Sequence, residues 1–252
     1  MTLPDAILLL AAGCASGFLN VIAGGGSLIT LPLLLHLGYS APMANGTNRV
    51  AVIAQSLAAV ATFRSKGHSD ARTSLCMSAL VIPGAVIGGI AGVRISGRLF
   101  DILLALVMLA VAALTAVRIW RPPARHPSGT RPARGGIPGA LALVAIGFYG
   151  GFLQVGVGFL IMAALERIFR MDLLTVNMHK VFLALAFTAA AFPVFVIHNQ
   201  VDWKAGAVLA LGNASGAWIS THLQIRRGEK FIRIVFLAAI LLMAADLLWK
   251  QF

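Results

Sequence analysis

The sequence predicts an all-α polytopic membrane protein made of two inverted structural repeats, each a glycine-broken helical hairpin plus three transmembrane helices. Three observations support this fold class. Apolar residues make up 59% of the 252 residues and charged residues only 11%. The second half repeats the pattern of the first half. Basic residues are grouped in short clusters between apolar stretches, as in the loops of membrane proteins.

Eight apolar stretches follow one another almost without a gap. A helix needs about 20 apolar residues to cross a bilayer core of ~30 Å. The stretches are 6–23, 41–63, 74–93, 99–117, 139–155, 173–197, 205–225 and 231–248. They leave no room for a separate soluble domain. We therefore expect a first transmembrane repeat at 1–120, a linker at 121–137 and a second transmembrane repeat at 138–252.

The duplication is carried by short motifs that recur in the same order, which indicates one structural unit present twice. The matched motifs are GF at 17–18 and 147–148, GGGSLITLPLLL at 24–35 and VGVGFLIMAALE at 155–166, NRV at 48–50 and HKV at 179–181, and GA at 84–85 and 216–217. Between the copies lies RPPARHPSGTRPARGG, at 121–136. Its Pro, Gly and Arg content predicts a cytoplasmic linker.

The positions of the basic residues favour inverted repeats. One straight helix over 3–38 would be about 54 Å long, so the chain must bend within the membrane. If each bent pair is a hairpin, the side opposite the linker holds four basic residues, Arg94, Arg98, Lys204 and Lys250. Arg49 and Lys180 then lie within the membrane, and the other 14 of the 20 face the cytoplasm. If each pair crosses once, the split is ten against eight, which is barely a bias.

The glycines at 24–26, with Gly156 and Gly158 in the second copy, predict breaks in membrane-embedded helices. Glycine permits turns that other residues resist, and it allows close approach to the backbone. Broken backbone at membrane depth is tolerated only where protein or a polar cavity satisfies it. A helix that restarts after such a break presents free N–H groups to an anion, with Ser27 as the expected N-cap. The alternative is close helix packing, the commoner role of membrane glycines.

Arg49 and Lys180 occupy equivalent positions in the two copies. Each follows polar residues, and Arg49 lies about 12 Å into its predicted span, further than a side chain comfortably snorkels. No acidic residue is expected at that depth to neutralise either cation. Buried cations usually face a cavity or pathway, so the missing counter-charge is interpreted as an anionic substrate. Snorkelling, or hydrogen bonding to backbone carbonyls, remains the alternative.

Neutral polar residues can complete such a site, although any of them can also join two helices. The predicted substrate-binding residues are Gly24, Gly25, Gly26, Ser27, Asn48, Arg49, Gln154, Gly156, Gly158, His179 and Lys180. Further candidates are Asn20, Asn45, Thr47 and Asn177. His179 could also exchange a transported proton. No catalytic residue, metal ligand or cofactor is predicted.

These residues carry a resemblance to a known family. The first half contains GFLNVIAGGGSLITLPLLLHLGYSAPMANGTNRVA, at 17–51. The second contains GFYGGFLQVGVGF at 147–159, HKV at 179–181 and NQVDWKAGAVLALGNASGAWIS at 199–220. Across nearly the whole chain the sequence resembles the TauE/SafE family of sulfite exporters. The resemblance implies a bacterial inner-membrane permease for sulfite, sulfonates or sulfoacetate-like acids. Many relatives have G-x-G-x-G where this chain begins with Gln154, which leaves open a substrate other than sulfite.

The expected function is therefore secondary transport of a small sulfur-containing anion, held between the repeats by helix N-termini and by Arg49 and Lys180. The alternatives are an anion channel, or a permease for another small carboxylate or sulfur compound. An intramembrane enzyme is disfavoured because the sequence has neither HExxH nor paired carboxylates. The expected partners are the anion and the lipid bilayer, without nucleic acid, and a homodimer is one arrangement that the sequence allows. The expected location is the inner membrane, crossed several times, with linker 121–137 in the cytoplasm.

Overall fold

The computed structural model describes residues 1–95, 97–119 and 135–249, and the regular structure in these ranges is entirely helical. This confirms the all-α class. The helices are α1 (Leu3–Ile22), α2 (Ser27–His36), α3 (Ala41–Ser65), α4 (Ala71–Val93), α5 (Gly97–Ile119), α6 (Gly136–Phe152), α7 (Val157–Arg167), α8 (Leu173–Ile197) and α9 (Trp203–Trp249). The predicted linker 121–137 lies outside the described residues as far as residue 134.

Three of the described helices, α1, α4 and α8, are long and apolar enough to cross a membrane. The apolar helices α2 and α6 are shorter, with 10 and 17 residues. Each is one piece of a broken pair: α2 follows the first break and α6 precedes the second. Helix α3 has 25 residues but carries a buried polar stretch from Asn45 to Arg49. The composition and these helices together indicate a membrane protein.

Helix α9 differs from the sequence prediction. The stretches 205–225 and 231–248 were expected to form two separate spans, but they lie in one continuous helix of 47 residues. The connecting sequence from Arg226 to Lys230 contains no proline, and its Arg, Glu and Lys residues are good helix formers. The prediction of three separate long helices in the second copy was therefore wrong for the described residues.

The two predicted breaks are present, and both use left-handed backbone. Helix α1 ends at Ile22, and Gly24 turns the chain with φ = +86° before α2 begins. Helix α6 ends at Phe152, and both Gln154 and Gly156 have φ = +65° before α7. Glycine adopts this conformation without strain, whereas a glutamine pays for it. The break in the second copy is therefore the more strained one.

After each break the chain runs back towards the side on which it started. Tyr39, just beyond α2, lines a surface pocket together with Met1 and Asp5 at the start of α1. In the second copy, Gly135 and Gly139 at the start of α6 pack against Phe169, just beyond α7. Each broken pair thus begins and ends at neighbouring places, which is the geometry of a hairpin.

The copies are interlocked by equivalent contacts. Helix α1 packs on α9, and its counterpart α6 packs on α4, the counterpart of the first part of α9. At Gly17, an added Cβ would lie 2.1 Å from the carbonyl oxygen of Asn213. At the equivalent Gly147, it would lie 2.1 Å from that of Val81. Because Val81 and Asn213 also occupy matching positions of the repeat, the same backbone contact is made twice.

Aspartate caps begin two of the long helices. The Asp70 carboxylate accepts a hydrogen bond from the Thr73 backbone N–H at 3.1 Å, and Asp172 caps α8 in the same way. The bonds from Thr73 lower the pKa of Asp70 below its ordinary value. The cap therefore stabilises the fold at neutral pH, and this contribution is lost as the pH falls through the lowered pKa.

Replacing Asp70 by alanine is expected to destabilise the protein by about 1 kcal/mol, the usual effect of removing an N-cap. Asp70→Asn should be almost neutral at pH 7 because its side-chain oxygen can still accept the Thr73 bond. Melting temperatures in detergent at pH 7 and pH 4 test this. If the alanine variant melts like the wild type at pH 7, the cap is not stabilising.

Candidate functional site

The two helix breaks touch each other in the middle of the protein. A Cβ added at Gly158 would lie 2.3 Å from the Cα atom of Gly24, and one added at Gly24 would lie 2.5 Å from the Cα atom of Gly158. Real Cβ atoms do not come this close to another backbone. The glycines therefore bring the beginnings of α2 and α7 together, with no side chain between them.

A small, partly enclosed cavity lies beside this contact. Its volume of ≈ 20 Å³, measured for the centre of a water molecule, has room for about one water. The polar residues lining it are Asn20, Ser27, Gln55, Ser56, Gln154 and Lys180, and the others are Val52, Val157, Gly158, Ile161, Val181, Ala184 and Phe187. Its wall therefore combines both breaks with α3 and α8 and includes one cation.

Lys180 is the cation of the cavity, and it is almost completely buried. Its Nζ atom donates to the backbone oxygen of Val21 at 2.7 Å and to Oδ1 of Asn177 at 2.8 Å, and it lies 3.6 Å from the sulfur of Met162. Val21 belongs to the last turn of α1, whose final carbonyls have no partner within the helix. The ammonium thus caps the broken end of α1 from the other copy.

Arg49 makes the equivalent bonds but does not line the cavity. Its guanidinium donates to the backbone oxygens of Gly150, at 3.3 Å, and Gly151, in the last turn of α6. It also donates to Oδ1 of Asn45 at 3.4 Å and lies 4.3 Å from the centre of the Phe195 ring. Carbonyl oxygens and an aromatic face, both favourable partners for a cation, therefore surround the charge.

The repeat relates these two sets of bonds. Val21 and Gly151 are 130 residues apart, at the offset of the duplication, and each accepts a hydrogen bond from the cation of the opposite copy. Each cation is also held by an asparagine one turn earlier in its own helix. The sequence left open that the two cations bond to backbone carbonyls, and both do. Lys180 also lines the cavity.

Ser27 and Asn48 form a separate hydrogen-bonded group. Gly26 occupies the N-cap position of α2 with no side-chain cap bond, so the prediction of Ser27 as N-cap was wrong. The Ser27 hydroxyl instead accepts a hydrogen bond from Nδ2 of Asn48 at 3.1 Å, and Asn48 Oδ1 accepts one from Thr30 at 2.7 Å. Asn48 thus ties the first turn of α2 to α3.

His179 lies away from the cavity, although it precedes Lys180. Its Nδ1 atom is 2.8 Å from the Ser74 hydroxyl of α4, and its buried Nε2 atom has no hydrogen-bond partner. Of the predicted substrate-binding residues, Ser27, Gln154, Gly158 and Lys180 line the cavity, and so does the further candidate Asn20. Gly24 contacts Gly158 directly, while Gly25, Gly26 and Gly156 belong to the two breaks without lining the cavity.

Gln55 and Ser56 are cavity residues that the sequence analysis missed. Both are buried, and neither Oε1 of Gln55 nor Oγ of Ser56 has a hydrogen-bond partner. Oε1 of Gln154 also lacks a hydrogen-bond partner. Gln55 follows Asn48 by two helical turns, so the two share one face of α3. Polar residues spaced by seven within an apolar span were the available signal.

Arg49→Met is expected to lower stability by about 1.5–3 kcal/mol, the cost of losing hydrogen bonds to a charged group. The reason is that the last carbonyls of α6 would lose their donor. Arg49→Lys keeps the charge and one donor and should retain most of the stability. Melting temperatures in detergent measure both variants, and equal melting of Arg49→Met and wild type would contradict the role of the guanidinium as a cap.

The chain is similar to known proteins over most of its length. The profile described as sulfite exporter TauE/SafE matches residues 9–247. The chain belongs to this family. Among relatives of the TauE/SafE protein, a probable membrane transporter protein (ORF9) of Sinorhizobium sp. is 27% identical over 241 residues, which cover 95% of this chain and 91% of the relative.

Two further relatives carry the same description. A probable membrane transporter protein of Haemophilus influenzae is 26% identical over 97% of this chain and 94% of its own length. The probable membrane transporter protein YfcA of Escherichia coli K12 is 26% identical over 94% of this chain and 87% of its own length. No solved structure shows significant similarity to the chain. Family and relatives together identify a membrane transporter.

Proposed function

We propose that this TauE/SafE protein is a secondary transporter that carries a small sulfur-containing anion, such as sulfite, a sulfonate or a sulfoacetate-like acid, across the inner membrane. The observation that carries the proposal is the Lys180 ammonium, which lines a small cavity beside the two helix breaks. Among the described residues that line this cavity none is acidic. An anion would therefore find a cation there and no competing carboxylate.

The chemistry of the cavity wall suits an oxyanion. Helices α2 and α7 both begin at the breaks, so the positive ends of their dipoles lie there. The N–H groups of Leu28, Ile29, Val157 and Phe159 in their first turns already donate to carbonyl oxygens of the breaks, so the helix contribution to anion binding is the dipole. Ser56 adds a buried hydroxyl without a hydrogen-bond partner. An anion beside Lys180 would receive charge-assisted bonds, which are stronger than bonds between neutral groups. Arg49, which donates to the last carbonyl oxygens of α6, adds positive charge next to the second break.

We also propose that the two copies are inverted relative to each other. Thr47, near the start of α3, accepts a hydrogen bond from the Asp202 backbone at 2.9 Å, just after the end of α8. Ser74, near the start of α4, is bonded to His179, near the start of α8. The first contact places the beginning of α3 next to the end of α8, and the second places the segment that follows α3 next to the beginning of α8. Both contacts support an antiparallel course of these equivalent helices. Inverted repeats with a site between them fit alternating access.

The proposed orientation places linker 121–137 in the cytoplasm and gives a chain that crosses the inner membrane several times. Arg167, the last residue of α7, and Arg170, just beyond it, would then face the cytoplasm together with Arg226 and Arg227 of α9. The cavity has room for about one water, and a sulfonate needs more space than that. Transport would require the two units to move apart on one side at a time.

Counterflow tests the proposed function. Purified protein in proteoliposomes preloaded with unlabelled sulfite should accumulate labelled sulfite transiently, and saturably, whereas protein-free liposomes should not. Unlabelled sulfonates added outside should compete, and acetate should compete weakly if sulfur oxyanions are the substrates. A flux that rises linearly with concentration, without counterflow, would indicate a channel and contradict the proposal.

A further inference from the structure

The two buried cations have equivalent positions but different surroundings. The ammonium of Lys180 reaches both the α1 carbonyl and the cavity. The guanidinium of Arg49 spans two successive carbonyls of α6, lies over the Phe195 ring and does not line the cavity. A planar guanidinium suits such a fixed, stacked arrangement, while an ammonium is a compact charge that exchanges partners readily.

The ends of α1 and α6 at the two breaks also differ, because the end of α6 packs more closely on its neighbours than the end of α1 does. At Gly151, in the last turn of α6, an added Cβ would lie 2.0 Å from the carbonyl oxygen of Ala85, so α6 rests directly on the backbone of α4. A Cβ added at Gly150 would lie 2.8 Å from the Phe187 ring, so this residue is also tightly packed. The position equivalent to Gly151 in α1 is Val21, whose side chain is buried in an apolar cluster with Ala217 of α9. A side chain therefore separates the end of α1 from its neighbour.

We propose that Lys180 exchanges its bond to the Val21 carbonyl for the transported anion, and that this exchange releases the broken end of α1, while Arg49 is a positioning residue that keeps the end of α6 fixed. The α1–α2 hairpin is then the element that moves when substrate binds. This inference rests on the proposed function, because it takes the anion at Lys180 as its trigger.

The energetics favour the exchange. A bond between an ammonium and an oxyanion is stronger than one between an ammonium and a neutral carbonyl. The Asn177 side chain, 2.8 Å from Nζ, can hold the ammonium in place during the change. The Val21 carbonyl would lose its donor, which weakens the last turn of α1 next to Gly24. No equivalent release occurs at α6 because the Arg49 guanidinium does not reach the cavity.

Hydrogen–deuterium exchange of the full-length protein in nanodiscs tests this inference. Peptides covering 19–26 report on the end of α1, and peptides covering 149–156 report on the end of α6. In substrate-free protein, Lys180→Met should accelerate exchange in 19–26 about tenfold, as expected when one charge-assisted hydrogen bond is lost, without changing 149–156. Arg49→Met should do the reverse, and Arg49→Lys should restore slow exchange at 149–156. Adding sulfite or 2-hydroxyethanesulfonate to wild-type protein should reproduce the effect of Lys180→Met.

The outcomes separate this inference from the proposed function. Lys180→Met that leaves 19–26 unchanged, or loosens both segments equally, overturns the assignment of Lys180 as the cap of α1. Anion binding, detected as thermal stabilisation, that slows exchange in 19–26 overturns the exchange of partners. If Lys180→Met loosens α1 selectively but neither anion stabilises wild-type protein, the cap stands and the substrate class of the proposed function fails. Arg49→Met should transport sulfite more slowly with an unchanged KM, and Arg49→Lys should restore the rate, a rescue by the conservative variant that a general structural defect would not show.

Discussion

Lys180→Met is expected to reduce saturable sulfite counterflow roughly 10- to 100-fold. Methionine has a similar length but no charge, so the cavity would keep its shape and lose its cation. A lost charge-assisted bond to an anion costs about 1.5–3 kcal/mol, and every 1.4 kcal/mol corresponds to a tenfold change in affinity. Loss of the carbonyl cap adds to this effect. Initial rates in proteoliposomes, measured across a range of sulfite concentrations, provide the test.

Lys66→Met is the matched control, because Lys66 is exposed beyond the end of α3. It should transport at the wild-type rate after correction for the amount of protein incorporated. Lys180→Arg keeps the charge but adds bulk to a cavity of ≈ 20 Å³, so it should bind the anion and transport poorly. Wild-type kinetics in Lys180→Met would show that the ammonium has no part in substrate binding.

Gly158→Ala is expected to prevent formation of the native structure. The added methyl group would lie 2.3 Å from Cα and 2.7 Å from the carbonyl oxygen of Gly24. Neither atom belongs to a flexible side chain, so the two helix breaks would have to separate. Overpacking usually costs about 1–3 kcal/mol, and more where backbone must move. The expected result is a large loss of folded protein on size-exclusion chromatography in detergent, together with loss of counterflow.

Gly97→Ala is the control for this substitution. An added Cβ at Gly97, at the start of α5, has no atom within 4 Å, and alanine favours helix more than glycine does. This variant should be as stable as the wild type or slightly more stable. A Gly158→Ala protein that folds and transports normally would mean that the two breaks are not in contact in the working transporter.

The sequence was sufficient to predict the helical class, the positions of both breaks and the burial of Arg49 and Lys180. These features follow from local signals: apolar length, glycine runs, and charges at fixed positions of a duplicated motif. The match of Val21 with Gly151 also follows from the repeat once the cations are known to bond to helix ends. The TauE/SafE resemblance, confirmed by the family match, adds the expectation of transport.

Other features depend on contacts between distant segments, which local patterns do not contain. The contact of Gly24 with Gly158 requires the two hairpins to meet, and no spacing within either motif specifies it. Gln55 and Ser56 are ordinary polar residues of a span by sequence, and only the cavity shows that they share a wall with Lys180. Ser27 was a reasonable N-cap by residue type, but its hydroxyl instead accepts a hydrogen bond from the Asn48 side chain. The continuous course of α9 shows that a basic cluster without proline need not end a helix.

The most direct test of the central claim is to locate the anion. Selenite is a heavier analogue of sulfite, and crystals of the protein soaked in it can be measured at the selenium absorption edge. One anomalous peak is expected within hydrogen-bonding distance of Lys180 Nζ, between the beginnings of α2 and α7, and no such peak in crystals of Lys180→Met. A strong peak elsewhere in the protein, with none between the two helix breaks, would show that the anion binds at another site.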